Sequence, residues 1–90
     1  MDERYELRCK TSTDAKRLSG SIHGLWKKDP TTPIVIRVIG AGALNQAVKG
    51  VILANKFFIK TGIVLGIQPS FQTSEDGVTA IDLRIIYHRV

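Results

Sequence analysis

A chain of 90 residues has room for one domain with a modest core. Its 43% hydrophobic and 23% charged residues exclude a disordered polymer, and no apolar run is long enough to cross a membrane. The formal net charge of +5 favours a polyanionic partner.

Cys9 is the only cysteine, so no intramolecular disulfide is expected, and a reducing cytoplasm is the expected setting. One Cys and the distant His23 and His88 make no zinc set. The opening "MDERYELR" lacks the apolar core of a signal peptide. The expectation is a cytoplasmic protein with no membrane partner, no metal and no cofactor.

In residues 5–10, Tyr5, Leu7 and Cys9 alternate with Glu6, Arg8 and Lys10, which predicts a half-buried strand. The following "TSTD" is a run of helix-capping residues. Thr13 is the expected cap, with Asp14 in the positive first turn. Ala15, Leu18, Ile22, Leu25 and Trp26 recur at helical spacing over residues 14–27. Lys27, Lys28, Pro30 and Pro33 then end that helix.

Residues 34–39, "IVIRVI", read as a central strand covered on both faces. Gly40, Ala41 and Gly42 form a turn. Helical spacing resumes from Ala43 to about Lys60, with Leu44, Ala47, Val48, Val51, Ala54 and Phe58 as the buried face. Thr61 and Gly62 are the stop. Residues 63–71 are a third strand, whose end Pro69 confines to an edge or a bulge. "QTSEDG" is a hairpin loop with Glu75 and Asp76 at its tip. The last strand presents Ile81, Leu83, Ile85 and Tyr87 on one face. The order β-α-β-α-β-β predicts an α+β, two-layer domain: two helices on one face of a four-stranded mixed sheet.

The glycine turn invites a nucleotide reading, which the spacing rejects. The third glycine of a dinucleotide fingerprint is replaced by Asn45, and no acid appears before Glu75. No P-loop is present either. What is left is a helix N-terminus whose N–H groups hold a phosphate, or a turn used only for tight packing. The sequence leaves both open.

Between Pro30 and Ser74 there is no Asp or Glu, while Arg37, Lys49, Lys56 and Lys60 all fall there. Asn45, Lys49, Lys56 and Lys60 project within about 60° of one another on a helix. This stripe is a solvated face or a track for phosphates. Lys10, Lys16 and Arg17 cluster at the first strand–helix turn. That turn and the glycine turn follow neighbouring strands at the same sheet edge. Ile52 and Leu53 lie beside the lysines, off the core face, and suggest an interface between copies, a homodimer or higher oligomer. Neither histidine stands in a recognisable catalytic arrangement, so no enzyme is expected. The aromatic residues read mostly as core, leaving no platform for base stacking.

The stretch "IGAGALNQAVKGVILA" resembles the stage V sporulation protein S (SpoVS) family of spore-forming and related bacteria. Gly-Ala-Gly-Ala-Leu-Asn-Gln-Ala-Val-Lys is its most specific run, and "KTST" at residues 10–13 resembles the family's start. The resemblance covers nearly the whole chain. That family is similar in fold to Alba, a small archaeal chromatin and RNA-binding protein. The resemblance implies a nucleic-acid-binding regulator linked to sporulation, acting in septum completion and spore coat assembly. By matching position it implies contacts at Lys10 and at the Gly40–Gln46 turn; joined to the basic residues read above, the expected contact surface comprises Lys10, Lys16, Arg17, Gly40, Ala41, Gly42, Asn45, Gln46, Lys49 and Lys56. Alba has arginines where this chain has the Gly40–Gln46 turn, and a basic hairpin where this chain has "QTSEDG". The implied contact with DNA or RNA is therefore weak, salt-sensitive and made to the backbone. The alternative is an oligomeric adaptor without nucleic acid.

Overall fold

The structure, a computed structural model, describes residues 3–73 and 76–90. Four strands, β1 (Tyr5–Cys9), β2 (Ile34–Val38), β3 (Ile63–Thr73) and β4 (Thr79–Arg89), form one sheet in the order β1-β2-β4-β3. β1 and β2 are parallel, and the other two pairings are antiparallel. Helices α1 (Ala15–Lys28) and α2 (Ala41–Phe58) make the second layer, and a short 3-10 turn (Ile59–Thr61) follows α2. This is the expected α+β arrangement.

The core lies between the layers. Ile34, Ile36 and Val38 of β2, and Leu83 and Ile85 of β4, meet Leu18 and Ile22 of α1 and Ala43, Ala47, Val51, Ala54 and Phe58 of α2. Period-2 alternation sends these strand residues to the helix side. Small residues on α2 let it sit close to the sheet. Cys9 is buried in the same core, as its small apolar character predicts.

Several local expectations need correction. Asp14, not Thr13, caps α1: its carboxylate accepts from the Lys16 N–H at 2.9 Å. Thr13 is spent closing the preceding turn, where its hydroxyl accepts from the Lys10 N–H at 2.7 Å. α2 starts at Ala41, so Gly42 is helical and only Gly40, at φ 90°, makes the turn. Ala43 and Gly50 are fully buried on α2, whereas Leu44 and Val48 are half-buried on its flank. β2 ends at Val38, leaving Ile39 58% exposed. Gly62, in the left-handed region, stops the helical run as predicted.

β3 runs on to Thr73, pairing with β4 from Ile63↔Arg89 to Thr73↔Thr79. The hairpin is thus a long arm with a short connection, of which Ser74 and Glu75 lie outside the described residues. Pro69 sits within β3, at the edge of the sheet. The Leu65 N–H bonds to Asn55 Oδ1 at 3.0 Å, so it points away from β4. By alternation, position 69 faces outward too, where a missing N–H costs no ladder bond.

Candidate nucleic-acid interface

The two strand–helix turns are tied together at the carboxyl ends of β1 and β2. Thr13 N–H donates to Lys10 O at 3.0 Å and closes the first turn. Gln46 of α2 reaches across to it, its Nε2 donating to Thr13 O at 2.7 Å. Gly42 packs against Thr11, and a Cβ at 42 would lie 2.6 Å from Thr11 Oγ1. The Cys9 thiol lies 3.5 Å from Ala43 O. The second turn depends on Gly40, whose φ of 90° disfavours any residue with a Cβ.

At α2 the first turn has neither a side-chain cap bond nor an acidic residue. Gly40, Ala41 and Gly42 are exposed. Their setting is an open, positive helix end beside Lys10 and the start of α1. Lys10, Lys16, Arg17, Asn45, Lys49 and Lys56 are all exposed. Gln46 is half-buried, and its amide N–H is already used as the tie. Gln46 is thus a joint between the turns, with its second amide N–H and its Oε1 not used in that bond.

Ile52 and Leu53 separate. Ile52 is 59% exposed, but Leu53 is only half-exposed. At 100° per residue, Leu53 turns toward the α1 side, where Gly50 meets Leu18. Ile52 turns toward β3, as Asn55 does. The two residues are about 100° apart on the outward half of α2, one on either side of the lysine stripe.

The sheet face away from the helices carries an ion-pair chain. Arg37 makes a bidentate bond to Asp82, at 2.8 and 3.0 Å, and a third bond to Glu6 at 3.0 Å. Arg4 lies 3.6 Å from Asp82 and Arg8 lies 3.9 Å from Glu6. Asp82 is 4% exposed. The Arg37 hydrogen bonds hold its carboxyl below the usual carboxylate range, with the nearby Arg4 charge adding to the effect. The same pairing raises the Arg37 guanidinium. Three arginines meet two acids here, Arg8 the most loosely, so with Lys10 this end is net positive.

Between that sheet end and the hairpin arm lies an open cleft of about 1070 Å³. Arg8, Lys10, Thr11 and Ser12 line one side, Arg37 and Ile39 the base, and Gln72, Thr73, Asp76, Val78 and Ala80 the other. Sequence reading missed Arg8, Ile39 and Gln72 as members of one site. Alternation alone puts Arg8 on the face opposite Cys9, but the hairpin's reach was needed to close the other wall. It also missed two exposed aromatic rings. Phe71 on the arm is 79% exposed, and Phe57 on α2 is 44% exposed, stacked on His23 with ring centroids 4.8 Å apart. Among the described residues no group of metal-ligating side chains converges, and no helix is long and apolar enough to cross a membrane.

No curated protein sequence matches the chain. The family model described as Stage V sporulation protein S (SpoVS) matches residues 5–88, from the first residue of β1 almost to the end of β4. The Gly40 turn, the Gly42–Thr11 contact and the Gln46 tie all fall inside that span. The chain belongs to the stage V sporulation protein S family and is a sporulation-related protein.

Proposed function

We propose that this protein is a nucleic-acid-binding regulator that holds backbone phosphates at its two joined turns. The observation that carries this reading is their convergence. Lys10 and the uncapped, acid-free N-terminus of α2 lie in adjoining turns, locked by Gln46 and by Gly42 against Thr11. Free N–H groups, a positive helix end and nearby lysines are what a phosphate needs. Lys16 and Arg17 on α1, and Asn45, Lys49 and Lys56 on α2, extend the positive surface along the helices. Contact is to the backbone and falls with salt. The protein acts in the cytoplasm without enzymatic activity or cofactor.

Amide-shift mapping by NMR tests this. Adding a short DNA duplex should move the resonances of residues 10–13 and 40–45 first. Shifts confined to β3 and the Ile52 flank would remove the reading.

The second reading is an oligomeric adaptor. It draws on Ile52 and on Pro69 and Phe71 of the edge strand, all exposed on the flank of α2 and β3. A second copy there would cover the edge of the sheet. Sedimentation of the wild type and Ile52→Lys would separate a dimer from a monomer.

A further inference from the structure

The cleft on the open face of the sheet has a chemistry that phosphate contact does not use. Its charged rim is at the strand ends, where Arg8 has a side chain 78% exposed and Lys10 is exposed. Arg37 is set against Asp82, so Arg8 and Lys10 outnumber Asp76 among the described lining residues. Its base is apolar. Ile39 follows Arg37 by two positions and so projects to the same face, 58% exposed. Val78 and Ala80 continue that apolar strip on the arm. Gln72 pairs with Ala80 across the hairpin and shares its face, offering one amide donor and one acceptor. A cation rim, an apolar seat and an amide on the far wall match a nucleotide. The phosphate takes the cations, the base takes the seat, and the base edge takes the amide. A duplex keeps its base faces inside the stack and can offer this cleft phosphate, sugar and groove edges but no base face.

We propose that the cleft receives one unpaired nucleotide of a single-stranded nucleic acid, its base on Ile39 and Val78 and its phosphate at Arg8 and Lys10. This rests on the phosphate-contacting reading above and makes the single strand the preferred substrate. The cleft's volume lies just above the usual range for small-molecule sites, ample for one nucleotide and its water. Lys10 and Thr11 belong both to the cleft and to the joined turns. A strand could therefore pass from one to the other without leaving the protein.

The test is fluorescence anisotropy with one mixed-sequence oligonucleotide, presented single-stranded and as its duplex, and with adenosine monophosphate as a competitor. The variants are Ile39→Ser and Arg8→Ala, both at exposed side chains, with thermal melts to show that each folds. The single strand should bind more tightly than the duplex. Ile39→Ser should weaken the single strand several-fold, the scale of one lost apolar contact, and leave the duplex within about twofold. Arg8→Ala should act in the same direction. Equal binding of both forms, untouched by either variant, overturns the cleft assignment and leaves phosphate contact standing. Saturable binding of the free nucleotide with no preference for the strand overturns it in favour of a small-molecule site. Absence of all oligonucleotide binding removes the phosphate contact itself, and this inference with it.

Discussion

Gly42 of α2 and Thr11 of the β1–α1 turn touch so closely that a Cβ at position 42 would sit 2.6 Å from Thr11 Oγ1 and 3.0 Å from Thr11 Cγ2. Rotation of the threonine cannot clear both branches, so the turn itself would have to move. Gly42→Ala should therefore cost about 1–3 kcal/mol, despite the better helix propensity of alanine. Adding Thr11→Ala should recover much of that loss. A double-mutant cycle by urea unfolding checks this, and simple additivity would show that the contact carries no strain.

Gly50 does the same work between the helices. A Cβ there would lie 2.6 Å from Leu18 Cδ2 and 2.9 Å from Leu18 Cγ, and Leu18 is itself buried. Overpacking costs about 1–3 kcal/mol, while the propensity gain is about 1 kcal/mol. Gly50→Ala should lower the melting temperature, and a rise would mean that α1 yields easily.

The Arg37–Asp82 pair ties β2 to β4 on the open face. Asp82→Asn leaves the guanidinium short of its main partner and should cost about 2–4 kcal/mol. The pH dependence follows from the direction of the shift. The folded carboxyl has a lowered pKa, so its contribution is full above the unfolded value of about 3.9 and is lost as pH falls through the folded one. Asp29 adds a second such group. Hydrogen bonds from the Thr32 and Thr31 side chains hold it at about 2. Acid unfolding should begin below about pH 4 in the wild type, and Asp82→Asn should flatten that limb. An unchanged acid limb would contradict the pairing.

Tyr87 presents the opposite case. Its hydroxyl is buried without a hydrogen-bond partner among the described residues, and burial raises its pKa. Tyr87→Phe removes an unsatisfied polar atom and keeps the ring against Phe58, 5.9 Å between centroids. Stability should hold or rise by up to about 1 kcal/mol. A marked loss in thermal melts would show that the hydroxyl has a partner in solution.

Alternation in residues 5–10 and the β-branched run at 34–39 were enough to place β1 and β2, because strand period is a local signal. The helical spacing of Leu18, Ile22 and Leu25 placed α1 equally well. Close approach is not local. Nothing in the sequence around Gly42 or Gly50 says that Thr11 or Leu18 lies opposite, so neither close contact is legible from the sequence. The hairpin's length was hidden because Gln72 and Thr73 are turn-like in composition but pair as strand. That hid the far wall of the cleft. The basic residues were legible as charges, while the use of Gln46 as a tie required the fold.

The most direct measurement is the salt dependence of oligonucleotide binding, comparing wild type with Lys10→Ala and Lys49→Ala. Log affinity should fall linearly with log salt for the wild type. Each variant should weaken binding and reduce the slope by about one, as expected for the loss of one phosphate contact. Wild-type binding with no salt dependence, or slopes that neither lysine changes, would contradict a phosphate-holding surface at the joined turns.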